Sequence, residues 1–228
     1  MKKYILACAV AAATCSSYAA DTATLKVKGV LTNAACTPTL ANGGVVDFGA
    51  IHLGELSATG TNQLGTKSIT LNIICDSPTK VAWTTVDDRN DSVENLQIAA
   101  AYADGSDSSS VSSQFGLGKT GEGKNIGAYA VAVDIAGVSV GGTNKDTVIR
   151  NLSNGTEWSK STDGAILNGT TGYARDITVA DAGTTDPIAF SQAVFPLKVT
   201  AAIDSTDNLA ITDDTNLDGQ ATISLVYL

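Results

Sequence analysis

The stretch Ser68-Ile69-Thr70-Leu71-Asn72-Ile73-Ile74, followed by Cys75, alternates polar and apolar side chains over most of its length. A β-strand repeats every two residues, so Ile69, Leu71 and Ile73 would share one face and point into a core. Apolar residues at helical spacing are nearly absent from the rest of the chain. The stretch therefore predicts a half-buried strand in an all-β protein.

Further strands are predicted where β-branched or alternating apolar runs lie between turn-forming dipeptides. Gly, Asn and Asp tolerate the positive φ angles of tight turns, and pairs such as Asn168-Gly169 and Asp218-Gly219 separate the runs. Many short strands joined by polar turns predict a β-sandwich. The predicted strands are Leu25–Leu31, Val45–Phe48, Ser68–Ile74, Val81–Val86, Ala128–Ile135, Ala189–Ala202 and Ala221–Tyr227.

The middle of the chain has weaker strand signals. Asp104–Ser113 is polar and serine-rich and Gly116–Gly127 is glycine-rich, which predicts exposed loops. Residues 141–187 are polar and dense in turn residues, which predicts an enlarged region of loops or extra hairpins. Because no Pro- or Ser-rich linker divides the chain, we expect these segments to belong to one domain.

The first twenty residues have the three regions of a secretory signal peptide. Lys2 and Lys3 are the basic region, Ile5–Ala13 is the apolar core, and Ser17–Ala20 supplies the small residues before cleavage. The apolar core is well short of the roughly 20 residues that span a bilayer. The sequence therefore predicts export, with the mature chain beginning close to residue 20 or 21.

Export determines which cysteines remain. A lipoprotein signal that modifies Cys8 or Cys15 is an alternative, but the apolar core before Cys8 is too short. Cleavage leaves two cysteines, Cys36 and Cys75, which an exported chain is expected to pair. Closing a loop of this length would contribute about 4 kcal/mol to stability. A zinc site is the rival interpretation, but His52 is the only histidine and no Cys-x-x-Cys occurs.

The charge of the chain limits its partners. Its formal net charge is −9, and loss of the two signal-peptide lysines would make it −11. The 14 basic residues form no cluster. Nucleic acid and anionic membrane surfaces require a basic patch, so neither is expected as a partner.

Two partial motifs suggest ligands but lack their structural context. Gly116–Gly121 spells Gly-x-Gly-x-x-Gly, yet no helix start follows it, as dinucleotide binding requires. Asp214, Asn216 and Asp218 match the first half of a calcium loop, but Leu225 occupies the position of its bidentate glutamate. We therefore expect no cofactor, and we keep the three acidic-loop residues as a weak metal candidate.

No catalytic set is apparent. The only histidine, His52, has no Gly-x-Ser-x-Gly motif to accompany it, which argues against a Ser-His-Asp hydrolase. Carboxylates are plentiful, so a β-sandwich glycoside hydrolase stays open as an alternative, but no particular pair is singled out. The sequence therefore predicts a protein that is not an enzyme.

The beginning of the mature chain resembles that of chaperone–usher fimbrial subunits. In Lys28–Cys36, Gly29 lies seven residues before the first cysteine, as in that family. Cys75, at the end of a predicted strand, is similar to the second cysteine of the family's disulfide, and Tyr227 to its penultimate tyrosine.

Within that family, Asn42–Gly49 and Ser77–Val81 most resemble the subset described as a domain of unknown function and sometimes called β-fimbriae. The resemblance implies an incomplete immunoglobulin-like β-sandwich, a pilin fold that lacks its last strand. Its implied divisions are a signal peptide at 1–20, an N-terminal donor-strand segment at 21–31 and a single sandwich domain at 32–228.

The resemblance also implies a function. It is that of a structural subunit, polymerised by donor-strand complementation into a cell-surface fibre for adhesion. The alternative is a tip subunit that binds a host glycan or protein through its middle loops. The implied partners are a periplasmic immunoglobulin-like chaperone, an outer-membrane usher, other fimbrial subunits and a host receptor. The implied site residues are Leu25, Val27, Gly29 and Leu31 in the donor strand, Ile223, Leu225 and Tyr227 in the last strand of the acceptor groove, and Leu228 as the chaperone anchor.

Overall fold

The structure, a computed structural model, describes residues 26–28, 35–153, 155–170, 172–211 and 214–228. The chain divides into two units, Met1–Asn33 and Ala34–Leu228. In the first unit, Lys26, Val27 and Lys28 are exposed and have no regular secondary structure. The predicted signal peptide and most of the predicted strand Leu25–Leu31 lie outside the described residues.

The regular secondary structure of the second unit is almost entirely β-strand. The strands are β1 (Cys36–Leu40), β2 (Asn62–Thr79), β3 (Val81–Asp87), β4 (Phe115–Gly116), β5 (Gly127–Val133), β6 (Ser139–Val140), β7 (Thr143–Asn144), β8 (Asp146–Asn151), β9 (Ser159–Lys160), β10 (Arg175–Ala180), β11 (Phe190–Ile203) and β12 (Ala221–Tyr227). Short 3₁₀ turns lie at Ala41–Gly44, Leu53–Glu55, Asn90–Ser92, Val111–Ser113 and Ile135–Gly137, and one α-helical turn, α1, at Thr206–Leu209. No helix among the described residues is long and apolar enough to cross a membrane.

The strands form two antiparallel sheets. The first has the order β1-β2-β11-β5-β4, and β6 extends it along the start of β11, with β7 beside β6. The second has the order β12-β3-β10-β8-β9. The predicted all-β sandwich is therefore confirmed. Its first and last strands, β1 and β12, each lie at the edge of a different sheet.

Aromatic side chains from both sheets meet in the core. Trp83 on β3 contacts Phe195 on β11 edge to face, with ring centroids 5.6 Å apart. Phe115 stacks on Tyr129 at 5.2 Å. Each such pair contributes about 0.5–1.5 kcal/mol beyond the area that it buries. The Trp83–Phe195 contact joins the two sheets, whereas Phe115 and Tyr129 lie opposite each other on β4 and β5 of the first sheet.

The predicted disulfide is present. Cys36 and Cys75 lie directly opposite each other in the β1–β2 register and are bonded. The bond closes a loop with a sequence separation of 39 residues. It fixes the start of β1 to β2, a strand that is hydrogen-bonded on both sides.

Three expectations need correction. Val45–Phe48 is not a strand, because no described strand pairs with it. Gly116–Gly118 is buried and not an exposed loop, since a Cβ on Gly116 would lie 2.1 Å from the carbonyl oxygen of Arg89. The middle region, 141–187, is not only an enlarged region of loops or extra hairpins. It contains β8 and β10, which are central strands of the second sheet.

Candidate functional site: an open groove beside the last strand

The last strand, β12, has one open side. Among the described residues it pairs with β3 alone. Its register is fixed by hydrogen bonds from Leu228 N to Lys80 O, 3.1 Å, and from Asp88 N to Gln220 O, 3.0 Å. Successive residues of an antiparallel strand direct their backbone groups to opposite sides. Because Gln220 and Leu228 bond to the β3 side, the even-numbered residues of β12 do so too. The odd-numbered residues direct their N–H and C=O groups to the open edge. They are Ala221, Ile223, Leu225 and Tyr227.

The side chains of β12 follow the same alternation. Ile223 and Leu225 are half-buried and pack against the core, whereas Thr222 and Ser224 are exposed. Apolar side chains and outward-directed backbone groups therefore belong to the same residues. An added strand could bond to this edge and cover the core in one step.

The first strand, β1, forms the opposite edge. Asp76 N donates to Ala35 O, which places the backbone groups of Cys36, Pro38 and Leu40 on the side away from β2. Pro38 has no N–H, and proline is tolerated in a sheet where that position needs no partner. Of the two edges, β12 consequently offers the more complete set of backbone groups.

Between the two edges lies a cavity of about 200 Å³, which we call the edge groove. Its lining is mostly apolar. One wall contains Leu40, Val46 and Phe48, the floor contains Trp83, Phe115 and Tyr129, and the other wall contains Leu217, Gly219, Ala221 and Ile223. The groove thus leads from the edge of β12 to side chains of the core, of which Trp83 and Phe115 are fully buried.

Two aromatic residues of the floor carry polar atoms. The indole N–H of Trp83 is fully buried and has no hydrogen-bond partner among the described residues. Burial of the Tyr129 phenol, reinforced by the carboxylate of Asp87, raises its pKa well above the usual range. Tyr129 is therefore a neutral side chain at physiological pH, and the floor carries no charge.

A second, wider cavity of about 920 Å³ continues from the edge groove. Val46, Phe48 and Leu217 line both. The wide cavity is bordered by residues 46–53 on one side and by Ile211 and residues 214–217 on the other. Its titratable lining side chains are Asp47, His52 and Asp214.

The segment that leads into β12 is bonded to residues that follow strands of both sheets. Asp218 N donates to Leu117 O at 2.8 Å, and the Asp218 carboxylate pairs with Arg89 at 3.0 Å. Gly219 lies so close to Tyr129 that a Cβ would approach the ring at 2.8 Å. These contacts fix where the groove wall begins.

The far end of the groove is closed. Cys36 N donates to the Tyr227 hydroxyl at 2.9 Å, which joins the start of β1 to the end of β12. The groove therefore has one closed end, at Cys36 and Tyr227, and one open end, at the wide cavity.

The structure locates several of the site residues named from the sequence. Ile223 lines the edge groove, Leu225 packs beside it, and Tyr227 closes its end. Leu228 is partly exposed next to Lys80. Of the donor-strand residues, Val27 is 89% exposed. Leu25, Gly29 and Leu31 lie outside the described residues.

The weaker ligand candidates are not assembled into sites. The carboxylate of Asp218 is bound to Arg89, and no group of three or more His, Cys, Asp or Glu within the described ranges could hold a metal ion. Gly116–Gly121 runs from β4 into a turn in which Thr120 N donates to Lys124 O, and no helix follows. His52 lies at the wide cavity.

Sequence reasoning missed β1 and the wide cavity. Pro38 was the available signal for β1, since a proline between two β-branched threonines suits an edge strand. The wide cavity had no such signal, because loops from distant parts of the chain build it.

The fold and the groove define an all-β sandwich protein with an open edge. Comparison with known proteins gives its family. The chain belongs to the family described as "Protein of unknown function (DUF1120)", whose model matches residues 25–130. It is 34% identical to the "Uncharacterized protein YhcF" of Escherichia coli K12, over 93% of each chain. It is also 33% identical to "Protein GltF" of the same organism, over 90% of this chain and 87% of that one.

Proposed function

We propose that this chain is a non-enzymatic structural subunit of a cell-surface fimbria, polymerised by donor-strand complementation. In this proposal, residues 21–31 of one copy fill the edge groove of the next. The observation that carries it is β12, an edge strand whose free backbone groups and half-buried apolar side chains face the same groove. Addition of a strand to such an edge is a common mode of peptide recognition.

The N-terminal segment has the pattern that this groove requires. Leu25, Val27 and Leu31 would share one face, and each contributes about 1.5–3 kcal/mol when it is fully buried. Lys26 and Lys28 would share the opposite face and stay in water. The segment can therefore cover the open core without burying a charge.

The direction of the inserted strand follows from the closed end of the groove. Only residues 32–34 separate Leu31 from Ala35, so Leu31 must lie near an opening through which the chain can leave. The opening lies at the wide cavity, beyond Ala221. This supports a donor strand that runs antiparallel to β12, the direction of every strand pair in both sheets.

The proposal includes the partners that such assembly needs. A periplasmic immunoglobulin-like chaperone would cover the groove before polymerisation, with Leu228 as its anchor, and an outer-membrane usher would pass the subunit to the cell surface. The Cys36–Cys75 disulfide supports passage through an oxidising compartment. A one-to-one complex purified from the periplasm would be the direct sign of the chaperone.

The test compares two substitutions on opposite faces of the donor segment in the mature chain. Val27→Asp would place a carboxylate in the groove, whereas Lys28→Asp places the same group in solvent. At about 150 mM salt or above, where attraction between the basic donor segment and the acidic sandwich is screened, we expect the wild type and Lys28→Asp to form polymers by light scattering and electron microscopy. Val27→Asp should stay monomeric yet still bind a peptide of residues 21–33. Polymerisation of Val27→Asp at the wild-type rate would refute the proposal.

A further inference from the structure

We propose that successive copies also make a second contact, in which the C-terminal end of the donating copy docks against the wide cavity of the accepting copy. This inference rests on the proposed function. By C-terminal end we mean the surface around Ala35, Lys80, Tyr227 and Leu228. The contact is apolar, and its partner is a second copy of this chain.

These residues form one end of the sandwich. Ala35 is bonded to Asp76, Lys80 to Leu228, and Cys36 to Tyr227. The wide cavity lies at the other end, beyond the start of β12. The seven residues of β12 separate the two ends by about 20 Å, since a strand rises about 3.3 Å per residue.

The length of the linker brings these ends together in a polymer. Four steps of chain, from Leu31 to Ala35, span at most about 14 Å. If Leu31 of the donating copy lies at the mouth of the accepting groove, Ala35 of that copy cannot be farther away. The donating copy's C-terminal end is therefore held within reach of the rim of the accepting copy's wide cavity.

The two surfaces have matching chemistry. Tyr227 is 51% and Leu228 44% exposed at one end, which leaves an aromatic and an aliphatic side chain in water. The wide cavity presents Ile51, Leu53 and Leu56, of which Leu53 is 42% exposed. Tyrosine is enriched in the cores of protein interfaces, and burial of these side chains removes apolar surface from water on both copies.

Charge contributes little to this contact. At the C-terminal end, the charged side chains of Lys80 and Asp76 have opposite sign and offset each other. Asp47 and Asp214 border the wide cavity. No surplus of positive charge faces these carboxylates, so the apolar side chains carry the attraction.

The contact uses different surfaces on the two copies. Such a head-to-tail interface leaves one unused surface at each end of the assembly, so it propagates into a filament where the rotation between copies does not close a ring, and it does not form a two-fold dimer. The donor strand joins two copies through a three-residue linker, which by itself does not fix the angle between them. The second contact would fix that angle.

The test separates the two contacts. Chains that carry Val27→Asp, and so cannot donate, are tethered as acceptors and exposed either to the peptide of residues 21–33 or to the whole wild-type chain. Leu53→Glu should leave peptide affinity within about twofold of the parent and slow the addition of the whole chain at least tenfold. Leu152→Glu, at a similarly exposed leucine that belongs to neither surface, should change neither.

Each outcome has one meaning. An unchanged rate of whole-chain addition to Leu53→Glu would overturn the second contact, as would equal losses for peptide and whole chain. A parent acceptor that does not bind the peptide would instead overturn the proposed function. As a second measurement, Leu53→Cys in the acceptor should form a disulfide with Leu228→Cys in the donor. Leu152→Cys in the acceptor should not, and equal yields would also overturn the contact.

Discussion

Replacement of Ile223 by alanine tests whether the inserted strand covers the side chains of β12. Ile223 lines the edge groove and is half-buried before any strand is added. A fully buried isoleucine contributes about 2–5 kcal/mol relative to alanine. Because Ile223 is already half-buried in the free subunit, insertion of the donor strand would supply roughly half of this free energy. Ile223→Ala should therefore weaken binding of the donor peptide by about 1–2 kcal/mol, or about five- to thirtyfold.

The matched control is Val226→Ala on the same strand. Val226 is also half-buried, but its side chain lies on the opposite face, because side chains alternate along a strand. Fluorescence anisotropy of a labelled peptide of residues 21–33, titrated with each variant in the Val27→Asp background, measures both affinities. Val226→Ala should change the affinity by less than about twofold. An equal or larger loss for Val226→Ala would refute the reasoning, since the groove would then lie on the wrong face of β12.

Two further predictions concern a glycine motif and charge. Gly116→Ala should lower the melting temperature by about 5–10 °C, because its Cβ would overlap the carbonyl oxygen of Arg89 and the site is closely packed. Gly121→Ala, which meets no atom within 4 Å, should leave it unchanged, and equal melting temperatures would contradict this structural role. The sandwich is strongly acidic and the donor segment is basic, so Lys26→Gln with Lys28→Gln should slow polymerisation several-fold at 50 mM salt and weaken its salt dependence. A stopped-flow series in salt measures this, and identical salt slopes would argue against electrostatic steering.

Strands that carry a strong local signal could be predicted from the sequence. Ala221–Tyr227 is β12 itself, and Val81–Val86 differs from β3 by one residue, because alternation and turn residues define both. Val45–Phe48 has the same local signal but is not a strand. Val46 and Phe48 line the edge groove, and none of the described strands pairs with this segment.

Other features depend on contacts distant in sequence. Arg150 on β8 bonds the buried carboxylate of Asp176 on β10 at 2.6 Å, directly across the strand pair. This ion pair helps to set the register of the second sheet, and its two residues are too far apart in sequence to be recognised as partners from a local pattern. The strand β12 could be predicted because its signal is local. The wide cavity could not, because residues distant in sequence build it.

The position of the disulfide determines how the molecule bears mechanical load. Any pull on the residues before Ala35 reaches β1, a five-residue strand that could be peeled from the edge one hydrogen bond at a time. Cys36, its first residue, passes the force through a covalent bond to β2. β2 is hydrogen-bonded along both sides, to β1 and β11, so the force acts as shear across many bonds at once. A chain pulled from its N-terminus should therefore resist forces that would unravel the reduced protein.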